Sequence, residues 1–230
     1  MEKKLEVSVI SPVFNERENL KTFVDSVTKV MHSTGMSWEL IVVDDGSDDG
    51  STTVIKELTN QDNIKCLLLA KNYGQTTAIQ AGFDNAIGKY LVTLDSDLQN
   101  DPKDIPALLH KLIEEELDLV VGWRKNRKDN YFLRNLPSSI ANKLIGNITG
   151  VKLHDYGCSL KAYRADVLKE VRLYGEMHRF IPAWMATKIP ASKISELVVT
   201  HHPRIAGQSK YGISRTFRVF VDLISVYFFM

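Results

Sequence analysis

The sequence predicts an α/β domain with a mostly parallel central sheet and helices on both of its faces. Three observations carry that prediction. Short apolar runs rich in β-branched residues recur through the first half, segments with helical apolar spacing separate them, and acid-bearing polar clusters follow three of the runs. In open sheets of this kind ligands bind beyond the carboxyl ends of the strands.

The elements follow in order. VSVISPVF is a short apolar strand. ENLKTFVDSVTKVM then places Leu20, Phe23, Val24, Val27 and Val30 at helical spacing. ELIVVDDGS is a second strand ending in acids and glycine, and Ser51 is placed to cap a helix through Leu58. IKCLLLA is a third strand, QTTAIQAGFDNAI a helix, KYLVTLD a fourth strand, DIPALLHKLIEEE a helix and DLVVGW a fifth strand. The second half is less regular. It offers a helical stretch interrupted near Pro137, a turn at HDYGCS, a helix from Arg164, a helix candidate in RFIPAWMATKI, a strand in ISELVVTHHP and a final helix after RIAGQSKYG. These elements are too few for a second core, so the expectation is one catalytic domain over residues 1–210 followed by an amphipathic helix over 211–230.

Composition bounds the function. With 230 residues, 44% hydrophobic and 25% charged, the chain is ordinary globular material. A formal net charge of +1 supplies no basic field, so no nucleic-acid partner is implied. The two cysteines, Cys66 and Cys158, form no metal-spaced pair, and the amino-terminal residues lack a signal peptide's apolar core. SRTFRVFVDLISVYFFM closes the sequence. Phe217, Val221, Ile224 and Phe228 share a helical face near Arg215 and Arg218, which suits a membrane interface, with core packing as the plainer alternative. The final apolar run is too short to span a bilayer and is expected to precede transmembrane helices.

Asp95-Ser96-Asp97 closes the fourth strand. Where the chain turns, both carboxylates can reach one ion, and Gln99 offers a further oxygen. Mg²⁺ and Mn²⁺ take oxygen ligands and are often held by one or two carboxylates plus substrate phosphates. A polar strand-end turn is the bland alternative. Asp44 and Asp45 end the second strand, where they can accept hydrogen bonds from a base or ribose or can cap the following helix. Pro12, Asn15 and Glu16 follow the first strand. Each signal is weak alone; three at one edge of one sheet are stronger.

SVISPVFNERENL, IVVDDGSDDGS, AKNYGQTTAIQAGFDNAIGKYLVTLDSDLQNDP and HDYGCSLKAYRADVL together resemble glycosyltransferase family 2 over nearly the whole chain, and LYGEMHRFIPA and HHPRIAGQSKYG resemble its polyprenyl-phosphate branch, which includes dolichol-phosphate mannose synthase. The resemblance implies a GT-A fold with a Rossmann-like sheet and inversion at the sugar's anomeric carbon. It implies that Asp45 and Asn72, with Pro12 and Glu16 nearby, hold the nucleoside, that Asp95, Asp97 and Gln99 bind Mg²⁺ or Mn²⁺, and that Asp155 has an acceptor-side catalytic role. The expected donor is a UDP- or GDP-sugar, with UDP favoured by the GEMHRF and AGQSKYG segments. The expected acceptor is undecaprenyl or dolichyl phosphate at the cytoplasmic face of a membrane; self-association through the terminal helix is a further possibility.

Cations suit the phosphates of such substrates. Arg124 follows the fifth strand, and Arg179, Arg204, Ser209 and Lys210 are placed for phosphate or acceptor binding. A phosphate monoester is already mostly dianionic at neutral pH and needs positive charge and alignment more than a general base, so Asp155 is expected to position the acceptor or organise cations. Two alternatives stand beside this reading: a transferase with a saccharide hydroxyl acceptor, and an inactive nucleotide-sugar binding module.

Overall fold

A computed structural model describes residues 5–59, 62–125, 146 and 149–203. Arg204, Ser209, Lys210, the basic positions 127, 128, 134 and 143 and the terminal helix lie outside the described residues.

The first half alternates as the apolar runs require: β1 (Val7–Val13), α1 (Arg17–Ser33), β2 (Trp38–Asp44), α2 (Ser51–Leu58), β3 (Ile64–Leu68), α3 (Gln75–Asn85), β4 (Tyr90–Thr93), α4 (Ile105–Glu114) and β5 (Leu119–Trp123). The second half adds β6 (Lys161–Arg164), α5 (Ala165–Leu168), a 3-10 turn at Met177–Phe180, α6 (Ile181–Met185) and β7 (Ile194–Val198). The strands form one sheet in the order β3-β2-β1-β4-β6-β5-β7. β1 pairs in parallel with β2 and β4, β2 with β3, and β5 with β7. β6 alone in this sheet runs antiparallel to its neighbours, wedged between β4 and β5.

That wedge separates the structure from the sequence pattern. KAYR has no apolar run around it long enough to announce a strand, and its four residues are set by pairing with β4 and β5. The helix expected from Arg164 is the short α5, and the one expected in RFIPAWMATKI starts as a 3-10 turn and becomes helical only where Pro182 can occupy an amino-terminal position. Ser51 is the first residue of α2 rather than its cap. Gly50, with φ +93°, takes the cap, because the chain must turn through the left-handed region there. On α1 the buried stripe runs Leu20, Phe23, Val24, Val27 and then Met31, and Val30 is only half-buried.

The core lies on both faces of β1, β2 and β4, where Val9, Ile10, Leu40, Ile41, Val43 and Val92 are fully buried. α3 packs so closely on β1 that a Cβ on Gly82 would overlap Ile10 Cγ2. Among the described residues no helix is long and apolar enough to cross a membrane.

Candidate active site

The parallel strands end at one edge, and the expected acids gather there. Asp44 and Asp45 close β2 and are both buried. Asp44 is occupied locally: its carboxylate accepts from the Ser47 amide at 3.0 Å and from the Thr52 hydroxyl at 2.5 Å. These bonds are local, but they do not cap α2, whose cap position is Gly50 with no side chain bonded to it. Asp45 reaches across the edge and accepts from the amides of Tyr73 at 2.7 Å and Gly74 at 2.9 Å. Burial raises its pKa, with the two amides opposing that shift. Asp45 thus fixes the loop entering α3. Asn72 is exposed on that loop, and Gly46, at φ +71°, abuts the backbone of Lys71 and Asn72 so closely that no side chain fits.

Asn15 has φ +54° and is held by a reciprocal pair with Asp48: its amide group donates to Asp48 Oδ1 at 2.7 Å, and the Asp48 backbone N–H donates to Asn15 Oδ1 at 3.0 Å. The Glu16 carboxylate accepts from Asn19 at 2.7 Å. Pro12 presents its carbonyl to the Ser96 hydroxyl at 3.3 Å, which ties the end of β1 to the acids after β4.

Asp95 and Asp97 follow β4. Asp95 accepts from Gln75 Nε2 at 2.8 Å. Burial, and then the charge of Asp97, push its pKa up to about 6, while Ser159, Lys161 and Arg124 draw it down. Asp97 is buried and accepts from the Gln99 amide at 3.1 Å, and Leu98 between them takes φ +61°. The Gln99 carbonyl accepts from the His202 amide at 2.7 Å. Among the described residues no group of three or more His, Cys, Asp or Glu converges to hold a metal. A crowded acid pair with too few protein ligands fits a hard divalent cation completed by phosphate oxygens and water.

Asp155 and Arg124 meet at the next strand end. Arg124 Nε donates to Asp155 Oδ2 at 2.7 Å and Nη2 to Oδ1 at 2.9 Å, and the Arg124 backbone N–H lies 3.3 Å from Oδ2. The side chains are only 12% and 14% exposed, which makes this a largely desolvated fork rather than a surface ion pair. The contact raises the guanidinium pKa despite burial. The Asp155 segment is pinned from outside: the His154 ring stacks on Trp123 at 4.0 Å and pairs with Glu196 on β7. Cys158 is buried with its thiol pKa raised by burial, which does not suit a nucleophile.

Sequence reasoning missed four participants. Gln75, the first residue of α3, holds Asp95. Ser159 lies beside Asp95, where it lowers that carboxyl's pKa, and donates its hydroxyl to Asn100 Oδ1 at 3.0 Å. Thr76 bonds His178 at 2.6 Å and so docks the 3-10 turn onto α3. Lys161 is buried in β6, between the strands that lead to Asp95 and to Arg124. Its signal was there to read: a lysine between Leu160 and Ala162 directly after the HDYGCS turn. Arg179 lies beside His178, with its guanidinium 3.3 Å from Glu176.

With this geometry in place, comparison with known proteins is decisive. The glycosyl transferase family 2 model matches residues 8–172. The chain belongs to glycosyltransferase family 2. A dodecaprenyl-phosphate galacturonate synthase from Rhizobium johnstonii is 56% identical over 228 residues, which is 98% of this chain and 68% of that relative. Solved structures agree on the fold. A mannosyl-3-phosphoglycerate synthase from Rubrobacter xylanophilus superposes with TM-score 0.75 at 14% identity, covering 96% of this chain and 73% of that one. A glucosyl-3-phosphoglycerate synthase from Mycobacterium tuberculosis, in complex with Mn²⁺, UDP-glucose and phosphoglyceric acid, gives 0.70 at 18% identity, covering 96% and 79%. The family 2 chain therefore has the GT-A fold and is a glycosyltransferase.

Proposed function

We propose that this glycosyltransferase moves a hexuronic acid, galacturonate, from a UDP-linked donor to a polyprenyl phosphate, with inversion at the anomeric carbon. The observation that carries the reading is the 56% identity, over almost the whole chain, to a dodecaprenyl-phosphate galacturonate synthase. The site chemistry supports it. The nucleoside lies along the loop that Asp45 fixes, with Asn72, Asn15 and Glu16 at its rim and Pro12 and Ser96 beside it. Asp95 and Asp97, with Gln99, are the residues to hold Mg²⁺ or Mn²⁺, which when bound supplies Lewis-acid stabilisation to the departing diphosphate.

In this reading an oxygen of the acceptor phosphate attacks the anomeric carbon as the bond to the diphosphate breaks. The nucleophile is already anionic and gives up no proton. Asp155 is accordingly engaged as an orienting partner. It fixes the Arg124 fork, whose remaining N–H donors face incoming or departing phosphate oxygens. In this reading Arg179, and by sequence Arg204, Ser209 and Lys210, supply positive charge and hydrogen bonds to the acceptor's phosphate. Catalysis takes place at the cytoplasmic face of a membrane, where the acceptor's lipid chain is anchored.

The test is transfer of label from UDP-galacturonate, UDP-galactose, UDP-glucose and GDP-mannose to dodecaprenyl phosphate in detergent with Mn²⁺, read as organic-extractable product. Label from UDP-galacturonate alone, abolished by EDTA, is the expected result. Label from a neutral sugar alone would overturn the uronate assignment. Transfer only to a saccharide hydroxyl would overturn the acceptor assignment.

A further inference from the structure

Lys161 is the one lysine or arginine among the described residues that is buried, at 2% exposure. Its place follows from the sheet. Within β6 it is paired with Thr93 of β4 on one side and Val121 of β5 on the other. Two residues beyond Thr93 stands Asp95; three beyond Val121 stands Arg124; and the chain entering β6 carries Asp155, Cys158 and Ser159. The three segments that bear this half of the site therefore converge on one ammonium. Its Nζ donates to the Cys158 carbonyl. The charged groups facing it from the surrounding elements are the Asp155 and Asp95 carboxylates and the Arg124 guanidinium. Thr93 reinforces the junction by donating to the Ser159 carbonyl at 2.7 Å.

Burying an ammonium is unfavourable unless the surroundings return the lost hydration, and an apolar side chain of similar volume often serves a fold as well or better. A lysine kept here, between two apolar residues of a short strand, points to a role in the site rather than in the core.

We propose that Lys161 is a positioning residue of the transfer site, a fixed counter-charge beneath Asp95 and Asp155 that sets how tightly the acid pair grips a divalent cation. The proposal rests on the reading that Asp95 and Asp97 hold that cation. Two opposed effects follow. The ammonium weakens the field the carboxylates present to a metal, so its removal tightens cation binding. It also adds positive charge next to the phosphates, so its removal slows transfer. A purely structural lysine predicts neither an increase in metal affinity nor this opposition.

The experiment uses the full chain with Lys161→Met, Lys161→Gln and Lys161→Arg. Free Mn²⁺ is measured by electron paramagnetic resonance with saturating UDP, and transfer is assayed beside it. The neutral variants are expected to bind Mn²⁺ about tenfold more tightly and to lose about tenfold or more in kcat, with the donor KM changed less than about threefold. Lys161→Arg, which keeps the charge, is expected to retain wild-type Mn²⁺ affinity. Unchanged or weaker Mn²⁺ binding in a folded neutral variant would overturn the proposal, and so would failure of both neutral variants to fold. If wild type and Asp97→Ala bind Mn²⁺ equally, the metal reading itself fails and takes the proposal with it, an outcome distinguishable because it precedes any Lys161 substitution.

Discussion

Asp155 grips the Arg124 guanidinium through two parallel hydrogen bonds, 2.7 and 2.9 Å long, at the carboxyl end of β5. With both oxygens engaged by one cation, this carboxylate is poorly placed to take a proton and well placed to aim a charge. Asp155→Asn keeps the shape but cannot accept both donors. It is expected to lower kcat about 100-fold while the UDP dissociation constant changes less than about threefold. Arg124→Lys should behave alike, because an ammonium cannot reproduce the fork. Steady-state kinetics beside calorimetric UDP titration separate the two quantities, and equal loss in both would assign Asp155 to donor binding.

Asp45 makes the opposite prediction. Its two oxygens accept the Tyr73 and Gly74 amides and fix the loop that, under the proposed function, meets the donor's nucleoside. Asp45→Ala leaves two partly buried amides without their partner, a cost below about 1–3 kcal/mol, the figure for a fully buried donor. UDP affinity should fall tenfold or more, with a smaller effect on kcat at saturating donor, again by calorimetry and kinetics.

The carboxyl of Asp95 is raised to about 6, against an ordinary value of 3.8. Because its folded value lies above its unfolded one, the stability it contributes to the metal-free protein is fully present below 3.8 and is lost as pH rises through about 6. The melting temperature of metal-free wild type, relative to Asp95→Asn, should therefore drop between about pH 4 and 6 and level off above that. A cation competes with that proton, so thermal protection by Mn²⁺ should grow over the same interval and level off above it. Scanning fluorimetry across pH, with and without Mn²⁺, measures both.

Gly82 tests the packing of α3 on β1. A Cβ there overlaps Ile10 Cγ2 at a fully buried position, so Gly82→Ala overpacks the core. The expected cost is about 1–3 kcal/mol, or about 2–4 °C of melting temperature per kcal/mol in a chain of this size. Differential scanning calorimetry checks it. An unchanged melting temperature would show that β1 and α3 separate more easily than their contact suggests.

The sequence made the first half of this architecture legible because β1 to β5 are continuous apolar runs, and a run buried on both faces needs no further cue. The acids after β1, β2 and β4 were equally plain, since a carboxylate closing such a run has one available edge. The second half resisted for a physical reason. β6 is four residues long and owes its form to the strands on either side of it, so no local periodicity marks it. The partners that define the site's electrostatics, Gln75 for Asp95 and Lys161 for the whole junction, are brought in over separations of 20 and 66 residues, beyond the reach of spacing arguments. Asp44 shows the reverse. Its partners Ser47 and Thr52 stand only three and eight residues along the chain, within reach of a local reading, although the cap itself falls to Gly50.

The antiparallel β6 has a consequence for how the protein comes into being. β4 and β5 are not partners of each other; each acquires its neighbour on this side only when residues 161–164 arrive. On the ribosome, β1 to β4 and their helices can collapse first, since every pairing among them is available once residue 93 has emerged. β5 has to wait for a strand made some forty residues later. Closing so distant a pairing is slow, and until it closes the facing edges of β4 and β5 are unpaired templates for other chains. The half carrying Asp45 is thus able to exist before the half carrying Arg124 and Asp155, and the hazard of misassembly during synthesis concentrates at the junction between them.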